Sequence, residues 1–440
     1  MNRKKTGWAA GKKVVFVFLA CCLFAFTGCR HNADEEGTLP PGSFWAQRMT
    51  DDKWYPVAVG DPLAVTEYCE VYVAKDQQTR WKDKAQSVAN EVANEFESKV
   101  YNLIVGNFGG PSDVDKNGKI TILLLDIIDG YSPSAGGSYI AGYFHPYHSL
   151  SGPAYPRSNN ADMIFMDTNP GDPGTQDFNM TLAHEFQHLV NFNRTYIEGG
   201  QNEFDTWINE GLSSAAEYLY LGGHVKDKIT HYKDDREEDI RRGVNFVTWT
   251  PSYAKDAYSS YATVYLFFQW LRIHAGTGVY KQIFKNPNMD AMAIPDAVRD
   301  ALGNGWPEIL QNWFEANYRC DSSGIYGYKG DSDIGKLSPK SPQISGGATA
   351  YKLSPGEGIY MATTQPAPSN TRDIAYKKLD PHLLVLNTNV NEEGKRVDAA
   401  IPAAAYAPEP HAASGVTEKA LAPSLPEKPR PIDRLFRLPK

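Results

Sequence analysis

A chain of 440 residues, 42% of them hydrophobic, is long enough for two or three compact units and carries ample apolar material for a core, which excludes an intrinsically disordered protein. The formal charge is -8, and residues 1–28 hold five positive charges with no acidic residue, so the remainder carries -13. An acidic surface of that size excludes nucleic acid as the partner.

Arg3, Lys4, Lys5, Lys12 and Lys13 precede an apolar run from Val14 to Phe26. These are the charged and apolar regions of a secretory signal over residues 1–28, and the run is shorter than the roughly 20 residues a membrane span needs. Phe26-Thr27-Gly28-Cys29 resembles a bacterial lipobox. That resemblance implies a lipid on Cys29, a membrane anchor through that lipid, and a place in the bacterial cell envelope or at its surface. Residues 29–60, with Asp34, Glu35, Glu36, Gly37, Pro40, Pro41 and Gly42, read as a tether. Apart from Cys21, Cys22 and Cys29 the chain has only Cys69 and Cys320. An oxidising compartment permits a bridge between them, while the alternation of Cys69 with Val71 and Val73 equally fits the inner face of a strand.

Residues 61–195 read as a sheet subdomain. A strand is predicted over Cys69–Ala74, followed by a long amphipathic helix carrying Trp81, Ala85, Val88, Val92, Phe96, Val100 and Leu103 at three- and four-residue intervals. Further strands are predicted over Ile120–Leu125, Tyr139–Phe144 and Met163–Met166. Asp113, Asp115 and Asn117, followed by Gly118, have the spacing of a calcium loop, so Ca²⁺ is a candidate ion there. The twelfth loop position is Leu124 rather than Glu, and a metal-free turn is the equal alternative. His145 and His148 flank Pro146 and read as surface loop residues. Helices follow over Thr181–Asn193 and then, in a mainly helical subdomain spanning 196–337, over Trp207–Leu221, Tyr258–His274 and Trp306–Tyr318. Residues 338–400 read as a small β appendage with strands at Gly358–Thr363 and Leu383–Asn387, and 401–440 as a disordered Pro/Ala-rich tail.

The chemistry concentrates in His184-Glu185-Phe186-Gln187-His188. Two histidines four apart on one helix aim ring nitrogens at one ion, and Glu185 flanks it as a candidate general base. Neutral imidazoles preserve the Lewis acidity of Zn²⁺. A catalytic zinc needs a third protein ligand and an open fourth position. The metzincin continuation is missing, since Asn191 and Arg194 stand at its Gly and His positions. A thermolysin-like site takes a Glu from a second helix, and Asp205-Thr206-Trp207-Ile208-Asn209-Glu210-Gly211 supplies Glu210. Asp205 is a candidate orienter of a ligand histidine or, equally, a helix cap. Glu217, two turns beyond Glu210, reads as a solvent-facing or cap-pairing carboxylate.

Asp205 to Gly211 resembles the third-ligand stretch of the zinc aminopeptidases, and Ala183 to Phe192 resembles the hyicolysin family; both are gluzincins. The hyicolysin resemblance takes in Cys69–Val73, Asp113–Ile120, Gly142–Phe144 and Tyr261–Leu271, roughly residues 65–275. It implies an α+β fold of the gluzincin, thermolysin-like type, with the cleft between the sheet and helical subdomains, and a protein or peptide substrate cut with Glu185 as general base. The resemblance to the zinc aminopeptidases, whose donor tyrosine opens a helix reaching a Leu ten residues on as Tyr261 to Leu271 does, implies a tyrosine as oxyanion donor, Tyr261 first and Tyr258 second. No Gly-x-Met-Glu-Asn motif for gripping a free amine occurs, which favours endopeptidase over aminopeptidase. A non-catalytic surface adhesin is the rival from another class.

Overall fold

The computed structural model describes residues 38–134, 138–200, 202–244, 246–249, 253–298, 301–390, 396–402 and 430–432. The signal segment, Cys29 and most of the Pro/Ala-rich tail lie outside the described residues. Strands β1 (Ser43–Arg48) and β2 (Lys53–Ala58) form an antiparallel hairpin within the stretch that reads as a tether. Asp52 turns it at a left-handed φ of 57°. Pro56 interrupts the alternation that would have announced a strand, and an outer strand tolerates its missing N–H.

After β3 (Ala64–Val65) and β4 (Cys69–Val73) come α1 (Lys75–Trp81), α2 (Ala85–Glu95) and α3 (Tyr101–Asn107), with Phe96–Val100 joining the last two as a π-helical turn. Strands β5 (Ile120–Leu125), β6 (Ser138–Ile140), β7 (Gly142–Phe144) and β8 (Met163–Asp167) follow. The main sheet runs β3-β4-β5-β8-β7, with β4, β5 and β8 parallel and both edges antiparallel. Register assigns its faces. Leu123 pairs with Phe165, which pairs with Tyr143, and these share a core with Ala46, Val57 and Val59 of the hairpin region. The alternate residues Val71, Ile122, Ile164 and Phe144 point to the opposite face. That face is covered by helices: Cys69 Sγ lies against the Ala93 carbonyl of α2, and a Cβ added at Gly142 would meet Thr181.

Thr181 belongs to α4 (Gln176–Phe192), which starts where Thr175 Oγ1 accepts the Phe178 N–H at 3.3 Å and Asp177 faces the helix dipole. Next come α5 (Thr206–Leu221), stopped by Gly222 at φ 64°, then α6 (Lys226–Asp234), α7 (Tyr258–Ala275), α8 (Gly278–Lys285), α9 (Ala293–Ala297) and α10 (Trp306–Arg319). Trp207, Trp270, Trp306 and Trp313 are fully buried among them.

The C-terminal strands are β9 (Ala350–Leu353), β10 (Gly358–Ala362), β11 (Ile374–Leu379), β12 (His382–Asn387), β13 (Val397–Ala400) and β14 (Arg430–Ile432), the last parallel to β6. A three-stranded sheet, β10-β12-β11, and the β9–β13 pair enclose Leu353, Ile359, Leu383 and Val385. They seat on α10, where Tyr360 OH donates to the Phe314 carbonyl at 2.6 Å and Lys377 pairs with buried Glu315. The architecture is α+β. Cys69 and Cys320 are both free thiols, the first buried in the sheet. Among the described residues no helix is long and apolar enough to cross a membrane.

Candidate metal centre and active site

Helix α4 presents His184 and His188 one turn apart on one face, ring centroids 4.7 Å from each other. Helix α5 packs across α4 and brings Glu210 to both: its Oε2 lies 3.3 Å from His184 Nε2 and 3.6 Å from His188 Nε2. Gly211 fixes where α5 lies. A Cβ there would stand 2.2 Å from the Phe268 ring of α7, so any side chain would displace α5 and Glu210 with it.

The second nitrogen of each ring sets its orientation. Glu217 Oε1 lies 2.7 Å from His184 Nδ1, while Asn209 Oδ1 and Ser213 Oγ each lie 2.9 Å from His188 Nδ1. Carboxylate and amide oxygens only accept, so the protons sit on Nδ1 and both Nε2 atoms present lone pairs. Two imidazole nitrogens and one carboxylate oxygen therefore converge within 4.8 Å of one another in a space where His184 and Glu210 are 0% exposed and His188 1%. Three lone-pair atoms so placed repel one another unless a cation joins them. Two imidazole nitrogens and one carboxylate oxygen are a donor set that could hold a divalent metal ion such as zinc. Burial pushes the Glu210 carboxyl up, but His188 and the imidazole hydrogen bonds outweigh it and hold it down at about 2. Glu210 is therefore an anion near neutral pH.

Glu217 is 2% exposed and not solvent-facing. The two turns separating it from Glu210 let the two carboxylates bracket His184, one at each ring nitrogen. Lys228 of α6 closes on Glu217, with Nζ 2.7 and 2.6 Å from its two oxygens and 3.1 Å from Ser214 Oγ. Burial pushes the Glu217 carboxyl up, but Lys228 and the His184 bond outweigh it and bring it down. Asn209, Ser213 and Glu217 recur at four-residue intervals on an apolar helix. That buried polar stripe was the signal from which their roles could have been read.

Glu185 is buried with Oε2 accepting the Phe144 N–H of edge strand β7 at 2.8 Å. Tyr261 OH donates to Glu210 Oε1 at 3.4 Å. Tyr258 packs 6.3 Å from the Tyr261 ring and edge-on to His231, which pairs with Asp256 at 2.9 Å. Tyr265 is buried, bonded to His224 and the Val225 N–H. Asp205 stands at the N-terminal boundary of α5, its N–H on the Met289 carbonyl, and the ring-orienting bonds come from Glu217, Asn209 and Ser213.

The structure details one loop and corrects the reading of another. In the Asp113 loop, Asn117 donates to Asp115 Oδ2 at 2.9 Å and accepts the Lys119 N–H at 2.6 Å, and the carboxylate that joins Asp113 and Asp115 is Asp162. Asp162 in turn accepts from Ser112 and the Val114 N–H. His145 and His148 are buried, not on the surface, packed against Trp54 at 5.1 Å each. The hairpin that covers them was not visible in the sequence, and burial pushes His148 well below the usual histidine range.

The profile of the peptidase M30 family matches residues 86–333, more than half of the chain, and includes all of these ligands. Neutral metalloprotease ShpI of Staphylococcus hyicus is 31% identical over 293 residues, which cover 63% of this chain and 63% of that protein. The chain thus matches less than two thirds of that relative's length. With a convergent His-His-Glu set inside the matched segment, the chain belongs to the peptidase M30 family, the hyicolysin-like metallopeptidases.

Proposed function

We propose that this metallopeptidase is an exported, zinc-dependent endopeptidase with a gluzincin active site. The carrying observation is the convergence of His184 Nε2, His188 Nε2 and Glu210 Oε2 with both Nδ1 protons held on acceptors. When bound there, zinc would polarise the scissile carbonyl and acidify water. Glu185 takes the proton from the attacking water and hands it to the leaving amine; the Phe144 N–H holds its carboxylate in place. The Tyr261 hydroxyl, beside Glu210, turns to the oxyanion as charge develops. An extended substrate lies along β7, the sheet edge nearest Glu185. The lack of a Gly-x-Met-Glu-Asn motif supports internal cleavage. Export and lipidation at Cys29 belong to the same reading and rest on the signal and lipobox alone.

Digestion of a denatured protein mixture, with and without chelator, tests the function. Internal cuts abolished by the chelator and restored by zinc are expected; cuts confined to N-termini would make the enzyme an aminopeptidase, and none at all an adhesin. Tyr261→Phe removes one hydroxyl, so zinc content and substrate affinity should stay unchanged while turnover falls about a hundredfold to a thousandfold. Loss in Tyr258→Phe with Tyr261→Phe spared would give the role to Tyr258.

A further inference from the structure

Lys228 is a lysine only 3% exposed, and burying an ammonium is costly unless every donor is met. Its three N–H donors are matched one to one by Glu217 Oε1, Glu217 Oε2 and Ser214 Oγ, at 2.7, 2.6 and 3.1 Å. The Tyr261 and Tyr265 rings wall off the ammonium, their centroids 5.7 and 5.8 Å away. The Lys228 ammonium itself bonds Glu217 and Ser214 rather than any of the three candidate metal ligands, so Lys228 acts through Glu217.

We propose that Lys228 is a positioning residue for metal capture, clamping both Glu217 oxygens so that Oε1 stays on His184 Nδ1 and Nε2 stays aimed at the ion. The inference rests on the metal site proposed above. A glutamate held by one imidazole N–H alone can rotate about its last torsion and leave the ring; held at both oxygens, it cannot. The ammonium also balances charge. Glu185, Glu210 and Glu217 are three buried carboxylates, more negative charge than one divalent ion would balance, and Lys228 supplies a compensating positive charge beside Glu217.

These two effects have opposite signs in a zinc titration. Removing a positive charge alone would tighten the hold on a divalent ion, whereas losing the clamp loosens it. Zinc affinity of the chelator-stripped full chain is measured by competition with a chromophoric chelator. Lys228→Met should lose about 10- to 100-fold, and Lys228→Gln, which keeps one donor to Glu217, should lose less and serves if the Met variant fails to fold. In a Glu217→Gln background, where a neutral amide oxygen holds the ring without a clamp, adding Lys228→Met should change affinity less than about threefold. Unchanged or tighter binding by both single variants, or the same loss in both backgrounds, overturns the inference. A parent chain that takes up no zinc overturns the metal site itself and this inference with it.

Discussion

Replacing Glu185 by Gln should leave about one zinc per chain and lower peptide hydrolysis by roughly a hundredfold to ten-thousandfold, the range contributed by a positioned general base. The substitution is chosen for what it keeps. A glutamine at this position still offers an oxygen to the Phe144 N–H, now at 2.8 Å from Glu185 Oε2, so β7 and α4 retain their contact. The ligands His184 and His188 on either side along the helix are untouched. What disappears is the capacity to accept a proton from water. Metal analysis beside turnover of a fluorogenic peptide checks it, and near-normal turnover with full zinc would remove Glu185 from the chemistry.

The second large effect separates two carboxylates on one helix. Glu210→Ala removes a ligand atom, so zinc uptake should fail at concentrations that saturate the parent chain, while the fold survives. Glu217→Ala leaves all three ligand atoms in place and should weaken zinc by only about 10- to 100-fold through the freed His184 ring. Its cost appears instead in stability. Lys228 would be left as a buried charge without its counterion, which typically destabilises by about 3–5 kcal/mol. A zinc titration and a thermal melt on the two variants should therefore rank them in opposite orders. If Glu217→Ala proved the worse in zinc uptake, the assignment of the third ligand would pass to it.

Much of the site was legible in the sequence because its parts repeat at helical spacing. His184 and His188 declare themselves at one-turn separation, and Glu210 by the Trp-Ile-Asn-Glu-Gly stretch around it. The central strands were equally legible: Ile120–Leu125 is apolar at every position but Thr121, as suits a strand buried on both faces. What stayed hidden depended on elements too short or too polar to recognise. Lys226–Asp234 carries five lysine and aspartate positions at its ends and only Ile229 and Tyr232 as large apolar residues, so it gives a weak helix signal. Without that helix Lys228 has no location, and without Lys228 a buried Glu217 has no explanation. The same holds for His145 and His148, whose burial follows from a hairpin whose second strand is interrupted by Pro56.

The Gly211 contact with Phe268 bears on the cost of loading the metal. Because the position of α5 is set by bare backbone resting on an aromatic ring, and each ligand histidine is tied at its far nitrogen, the cage does not depend on rotamers chosen when the ion arrives. A loosely built site would lose about 0.5–1.5 kcal/mol of conformational entropy for each side chain immobilised on binding. In this protein that ordering has already occurred when the chain folds, so an ion bound there would not have to supply it.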